Sequence, residues 1–278
     1  MFRITAKQTE IQANDIDIKL WDSFGCPIFA VRFIDISHQL YYNNDIPIFE
    51  RSGFMKTSAV IVCAGSSTRM GGVNKILLPL GERRVIGVTM QAFQKCEDIT
   101  EIIIVAREDD IPAIREEAEA AGITKLADCV TGGATRQESV INGIRRISKE
   151  TELVAVHDGA RPLVKPEHIE KVIKDASVFG GATLGVPVKD TIKTVEDGLI
   201  TDTPPRKLLY ITQTPQIFKR SLYFEGVDFA LEHGLDFTDD CQLVEAIGGK
   251  VAMTVGDYTN IKITTPEDIK IAEILMNM

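Results

Sequence analysis

Arg69 and Lys75 bracket Gly71-Gly72 at the far end of a loop that opens with Ala64-Gly65-Ser66-Ser67. Small residues let backbone N–H groups approach an anion, and the two cations offset its charge, which suits a nucleoside triphosphate. The spacing matches neither G-x-x-x-x-G-K-[ST] nor G-x-G-x-x-G, and by itself the turn also reads as a plain βα connection. A second Gly turn, Thr131-Gly132-Gly133-Ala134-Thr135-Arg136-Gln137-Glu138-Ser139, opens a helix, so free N–H groups and Ser139 there suit a base or a phosphate. The alternative is an ordinary helix start. The third group is His157-Asp158-Gly159-Ala160-Arg161-Pro162, an acid at the end of an apolar run. Asp158 has the chemistry to hold Mg²⁺ against triphosphate oxygens, or to cap the next turn. His157 reads as structural, and Thr214 offers a hydroxyl donor.

Elements that converge at one edge must carry these groups. From Thr57 onward, strand-like segments near 59–63, 101–106, 125–131, 153–157 and 182–186 alternate with amphipathic stretches near 85–95, 110–121, 136–147 and 166–177. This is the pattern of βαβ units in a Rossmann-like, mostly parallel α/β sheet flanked by helices. Ligands in such sheets sit at the carboxyl ends of the strands, so all three motifs should share one rim. Later segments read as a strand over 208–214, helices over 220–233 and 239–247, a strand over 250–255 and a closing helix over 266–276 capped by Thr265. Between them, two alternating runs around Glu196-Asp197-Gly198 read as a β-hairpin. So many exposed β-branched residues predict that this arm, about 187–212, packs on a second copy of the chain.

Composition narrows the class. The 278 residues, 44% hydrophobic, suffice for a sizeable core. A net charge of −9 without a dominant basic cluster argues against nucleic-acid binding. Five scattered cysteines without C-x-x-C spacing read as reduced thiols of a cytoplasmic protein, and four dispersed histidines suggest no zinc site. No apolar run reaches the ~20 residues of a membrane span. The aromatic-rich stretch 1–54 differs from the rest and reads as an appendage with β-rich character, with Met55 the natural start of a catalytic domain over 55–278. It is either a lineage-specific addition or a mis-assigned translation start.

Taken in order, A-G-x-x-x-R-M-G with its following Lys, G-G-x-x-R-x-x-S-V, H-D-G-A-R-P, V-P-V-K-D-T-I-K, the arginine before Q-T-P-Q, T-D-D and T-N-I-K-x-T-x-P-E-D resemble the 2-C-methyl-D-erythritol 4-phosphate cytidylyltransferases of non-mevalonate isoprenoid synthesis. The resemblance runs from about Lys56 to the end. It implies transfer of CMP from CTP to methylerythritol phosphate, with pyrophosphate released, in a homodimer joined through the arm. It implies that Ala64, Gly65, Gly132, Gly133 and Ser139 surround the cytidine, with Arg136 supporting that loop. Asp158 would carry Mg²⁺ or another divalent cation, and Arg69, Lys75 and Lys262 would act on the reacting phosphates. Thr191, Arg206 and Thr214 would hold the sugar phosphate, the first two delivered by the other subunit.

Two positions depart from the family's common pattern. Ser67 stands where many relatives have glycine, and Cys63 where they often have Ala or Pro. Other readings are a ribitol-5-phosphate cytidylyltransferase on the same fold and a non-catalytic nucleotide-binding module. The Gly159-Ala160 pair and the basic residues flanking Asp190-Thr191 favour methylerythritol phosphate over ribitol phosphate. The lysines and Asp158 favour an enzyme over a sensor.

Overall fold

Alternation along the first strand sets the architecture. In β1, Thr57–Val62, the side chains of Ala59 and Ile61 enter one apolar cluster and Val60 enters a second on the opposite face. A strand covered on both sides needs helices on both sides. The computed structural model describes residues 55–65 and 74–278. Those residues fall within one compact unit, Gly53–Met278. The appendage expected over 1–54 and candidate Arg69 lie outside the described residues.

After β1 the chain makes a short hairpin, β2 (Pro79–Leu80) and β3 (Arg83–Arg84), then α1 (Val85–Lys95), β4 (Ile99–Ala106) and α2 (Ile111–Ala120). It continues through β5 (Leu126–Thr131), α3 (Arg136–Ile144), β6 (Leu153–Asp158), α4 (Pro166–Phe179) and β7 (Gly181–Pro187). The hairpin β8 (Thr194–Glu196) and β9 (Leu199–Asp202) follows, then β10 (Tyr210–Lys219), α5 (Arg220–His233), α6 (Cys241–Ala246), β11 (Ala252–Val255) and α7 (Pro266–Met276). Seven strands form one sheet in the order β11-β7-β10-β6-β1-β4-β5. Its pairs are parallel except where β10 runs antiparallel to both β6 and β7. Helices α1, α2, α4 and α7 bury Met90, Ile114, Val172 and Ala272 on one face. On the other, α3, α5 and α6 bury Ile141, Tyr223 and Val244. Each fully buried Ile or Leu contributes roughly 1.5–3 kcal/mol, so these two clusters hold the rim in place.

The chain steps outward from β1 through β4 to β5 and then returns to β6 on the other side of β1. That reversal opens a crevice between the carboxyl ends of β1 and β6, where Val62 pairs with Asp158 in register.

The expected elements stand with shifted ends. The helix expected over 136–147 stops at Ile144. The strand expected over 208–214 begins at Tyr210 and runs on to Lys219, through Pro215. Proline reads as a strand breaker because it donates no N–H. Here the register on β7 breaks between Thr212 and Gln216, so Pro215 falls in an irregularity where the ladder needs no donor. The hairpin β8–β9 turns through Asp197 at φ 51° and Gly198 at φ 80°, the left-handed pair that a tight two-residue turn requires. Its strands are exposed along their whole length.

Candidate active site

A cleft of about 400 Å³ lies over the β1–β6 crevice, lined by Ala64, Gly65, Lys75, Arg136, Asp158 and Lys262 among others. Three segments build its walls. The strand ends are drawn together by Cys63 N–H donating to Val105 O at 2.6 Å, Gly132 N–H to Ala106 O at 2.9 Å and Gly159 N–H to Val62 O at 2.9 Å.

On the first wall, Asn74 fixes the turn that presents Lys75. Its Oδ1 accepts from Ile76 N at 3.3 Å, capping the short helical turn Lys75–Leu77, and its Nδ2 donates to Asp110 at 2.5 Å. Asp110 is buried and also accepts from Arg107 Nε at 2.6 Å. No motif in the sequence assigns a role to Asp110. Its signal was an acid shortly after a strand end, indistinguishable there from a helix-start residue.

The second wall is the Gly132-Gly133 turn. A Cβ on Gly132 would stand 2.3 Å from Ala64 Cβ, and one on Gly133 would stand 2.4 Å from Glu138 Cβ, so both positions exclude a side chain. Free amide donors were expected here, but the structure engages them internally. Gly133 N–H donates to Ser139 Oγ at 3.0 Å and Ala134 N–H to Glu138 Oε2 at 2.7 Å, while Gly132 N–H serves the sheet. Ser139 Oγ donates onward to Thr135 O at 2.9 Å. The physical reason is the start of α3, whose Glu138 and Ser139 side chains reach back past the Thr135 cap to the donors ahead of it. The turn therefore offers the cleft a fixed shape.

Asp158, 9% exposed, is the only carboxylate among the described residues lining the cleft. Lys262 Nζ lies 2.8 Å and Arg161 Nε 3.5 Å from its Oδ2. Burial alone would push its pKa up, but Lys262, Arg136 and Arg161 outweigh that and hold it at about 2. Arg136 is held from behind by Asp240, 2.7 Å from its Nη2, and Tyr223 donates its hydroxyl to the same carboxylate at 2.5 Å. Although burial disfavours the charged form of Arg136, Asp240 and Asp158 together raise its pKa. The T-D-D motif thus contains the anchor of the cleft's arginine, a link between α6 and α3 that no local spacing reveals.

Thr214 sits behind Asp158, buried, with Oγ accepting from Asp158 N–H at 3.1 Å and donating to His157 Nδ1 at 2.9 Å. That bond leaves the ring proton on Nε2, which donates to Arg161 O at 3.1 Å. Burial lowers the His157 pKa to about 4, so the ring is neutral and structural. Burial likewise raises the pKa of Cys63, which is therefore a thiol at the cleft floor.

Thr191 and Arg206 are exposed and absent from the lining of this cleft. Arg206 Nη1 donates to Lys189 O at 2.7 Å, at the stem of the arm. A single chain therefore brings Ala64, Gly65, Lys75, Gly133, Arg136, Ser139, Asp158 and Lys262 to the cleft lining, but not Gly132, Thr214 or the two arm residues; the hydroxyl of Thr214, expected on the sugar phosphate, is engaged by His157 and Asp158 instead. Among the described residues no three His, Cys, Asp or Glu side chains cluster closely enough to hold a metal ion, and no helix is long and apolar enough to cross a membrane.

Comparison with known proteins gives one consistent family. The family model for 2-C-methyl-D-erythritol 4-phosphate cytidylyltransferase matches residues 57–278. A protein of that name from Caldanaerobacter subterraneus subsp. tengcongensis is 47% identical over 225 residues, covering 80% of this chain and 99% of the relative. Another from Syntrophotalea carbinolica is 43% identical, covering 80% and 97%. Among solved structures, the 4-diphosphocytidyl-2C-methyl-D-erythritol synthase of Anaerococcus prevotii superposes with a TM-score of 0.73 at 32% identity, covering 81% of this chain and 97% of that one. The 2-C-methyl-D-erythritol 4-phosphate cytidylyltransferase of Thermus thermophilus gives 0.66 at 33% identity, covering 81% and 100%.

Proposed function

The chain belongs to the 2-C-methyl-D-erythritol 4-phosphate cytidylyltransferase family, and from that premise we propose how its cleft transfers CMP from CTP to methylerythritol phosphate. The observation that carries the reading is the convergence of Lys75, from the loop after β1, and Lys262, from near the C-terminus, on one cavity around Asp158.

A phosphate monoester is already anionic near neutral pH, so the nucleophile needs no strong base. Its oxygen attacks the α-phosphorus of CTP, a new P–O bond forms, and the α–β P–O bond breaks to release pyrophosphate. The protein's task is to hold two anions in line and to stabilise charge on the α-phosphate. Lys75 and Lys262, with Arg69 from the loop, are assigned to that charge. Ala64, Gly65, Gly132, Gly133 and Ser139 are assigned to the cytidine, with Arg136 steadied by Asp240 behind them. A lone carboxylate fits a Mg²⁺ ion whose other ligands are substrate phosphates and water. Asp158 would hold that ion, which supplies further neutralisation of the triphosphate. Thr214 supports this role by fixing the Asp158 backbone.

The arm completes the site in our reading. Val195, Leu199, Ile200 and Leu208 are each at least 60% exposed along it, an apolar surface suited to a second copy of the chain. In the dimer, Thr191 and Arg206 of the arm would hold the polyol phosphate in the other subunit's cleft. The direct test is pyrophosphate release from CTP and Mg²⁺ with methylerythritol phosphate or ribitol phosphate. Release that depends on methylerythritol phosphate and is much slower with ribitol phosphate is the expected result. Faster turnover with ribitol phosphate would overturn the substrate assignment.

A further inference from the structure

The segment 256–262, which ends in Lys262, is stitched to the strands that run out into the arm. Gly256 N–H donates to Gly185 O at 2.9 Å, and Gln213 Nε2 donates to Asp257 O at 2.8 Å. Asn260 Nδ2 donates to Thr214 O at 3.0 Å. Within this segment Tyr258 reaches the arm itself. Its hydroxyl donates to Pro187 O at 2.6 Å, at the last residue of β7. The ammonium of Lys189 lies 3.5 Å from the centroid of its ring. The carbonyl of the same Lys189 accepts from Arg206 Nη1 at 2.7 Å.

Tyr258 is 41% exposed, so core packing does not account for its two engagements. A ring beneath a cation and a hydroxyl on a strand-end carbonyl together fix both the direction and the roll of the stem. Substitution of such a group should be felt where the stem points.

We propose that Tyr258 is a positioning residue that sets the angle of the arm and so places Arg206 for the polyol phosphate bound in the partner's cleft. This rests on the reading that the arm serves the other subunit. Tyr258 does not line the cleft assigned to CTP. Its effect belongs to one substrate only, and it is exerted in trans.

The experiment uses the full chain with Tyr258→Phe and Tyr258→Leu, assayed with CTP, Mg²⁺ and methylerythritol phosphate. Misplacing a binding group by about an ångström can cost up to roughly 10²-fold. Tyr258→Phe, which keeps the ring, should raise KM for methylerythritol phosphate about threefold to tenfold, and Tyr258→Leu more than tenfold. KM for CTP should change less than twofold. A rise shared equally by both substrates, or none in Tyr258→Phe, overturns the proposal, and the Phe variant decides it alone if the Leu variant fails to assemble. Differently tagged mixed dimers then separate the routes, one subunit carrying Tyr258→Leu and the other Lys75→Ala. The one competent cleft in that dimer receives an unaltered arm, so its KM should return to the parental value. A KM that stays raised places the effect of Tyr258 on its own cleft and sinks the proposal. An inactive parent would instead defeat the functional reading itself, independently of these variants.

Discussion

Lys262 Nζ lies 2.8 Å from Asp158 Oδ2, so the loop before α7 and the end of β6 meet as an ion pair at the floor of the cleft. The lysine stabilises the buried carboxylate and, from the same position, faces the space assigned to the triphosphate. Removing a preorganised charge stabiliser costs on the order of 10²–10³ in rate. Lys262→Ala and Lys75→Ala should each lower kcat/KM by that order, with circular dichroism spectra unchanged. Near-parental turnover in either purified variant would remove that lysine from the mechanism.

Asp110 acts at a distance from the chemistry. By binding Asn74 it fixes the turn that projects Lys75, and Arg107 holds it in place. Asp110→Ala should raise KM for CTP on the order of tenfold, and loss of the buried hydrogen bonds should cost about 1–3 kcal/mol in chemical denaturation. Asp110→Asn, which still offers one acceptor oxygen, should recover part of both. Equal losses in the two variants would argue against a positional role.

Gly159 is required by its neighbour. A Cβ there would lie 2.2 Å from Cys63 Sγ. Gly159→Ala should therefore destabilise by about 1–3 kcal/mol, the usual cost of overpacking. In a Cys63→Ala background, where the sulfur is gone, the same change should cost less. Additive losses in the double variant would show that the two sites do not communicate.

His157 predicts an acid-sensitive fold. Burial depresses its pKa from 6.5 to about 4, so between these values the unfolded chain binds the proton and the folded chain does not. Stability is full above about 6.5 and declines as pH falls toward 4, by roughly 2–3 kcal/mol from this group. Urea denaturation across that window should show the decline, and His157→Gln should flatten it. An unchanged slope in the variant would exclude His157 as the source.

How much of this was written in the sequence depends on the range of each interaction. Strand alternation in β1, the Asp197-Gly198 turn and the Thr265 start of α7 are local signals, and the structure places each where they fall. Lys75 and Asp158 were legible through separated motifs whose shared rim follows from a parallel sheet, and Lys262 only through the family resemblance. Asp240 and Asp110 were not, because each acts through a side chain on another element, and an acid at a helix start looks the same whether or not an arginine lies behind it. The amide donors of the Gly132-Gly133 turn misled for a related reason. Their acceptors, Ser139 and Glu138, lie one helical turn onward and face back only once α3 forms.

The stem of the arm is made of the outer ends of two strands of the central sheet. Tyr210 pairs with Pro187 and Ile211 with Val186 in the same ladder that continues inward to Phe218 and Gly181. Because β7 and β10 are shared by the body and its projection, an exposed tip held by a second subunit would tether the central sheet as well. Dilution should then soften the whole molecule rather than loosen an appendage, and the melting temperature should climb with protein concentration.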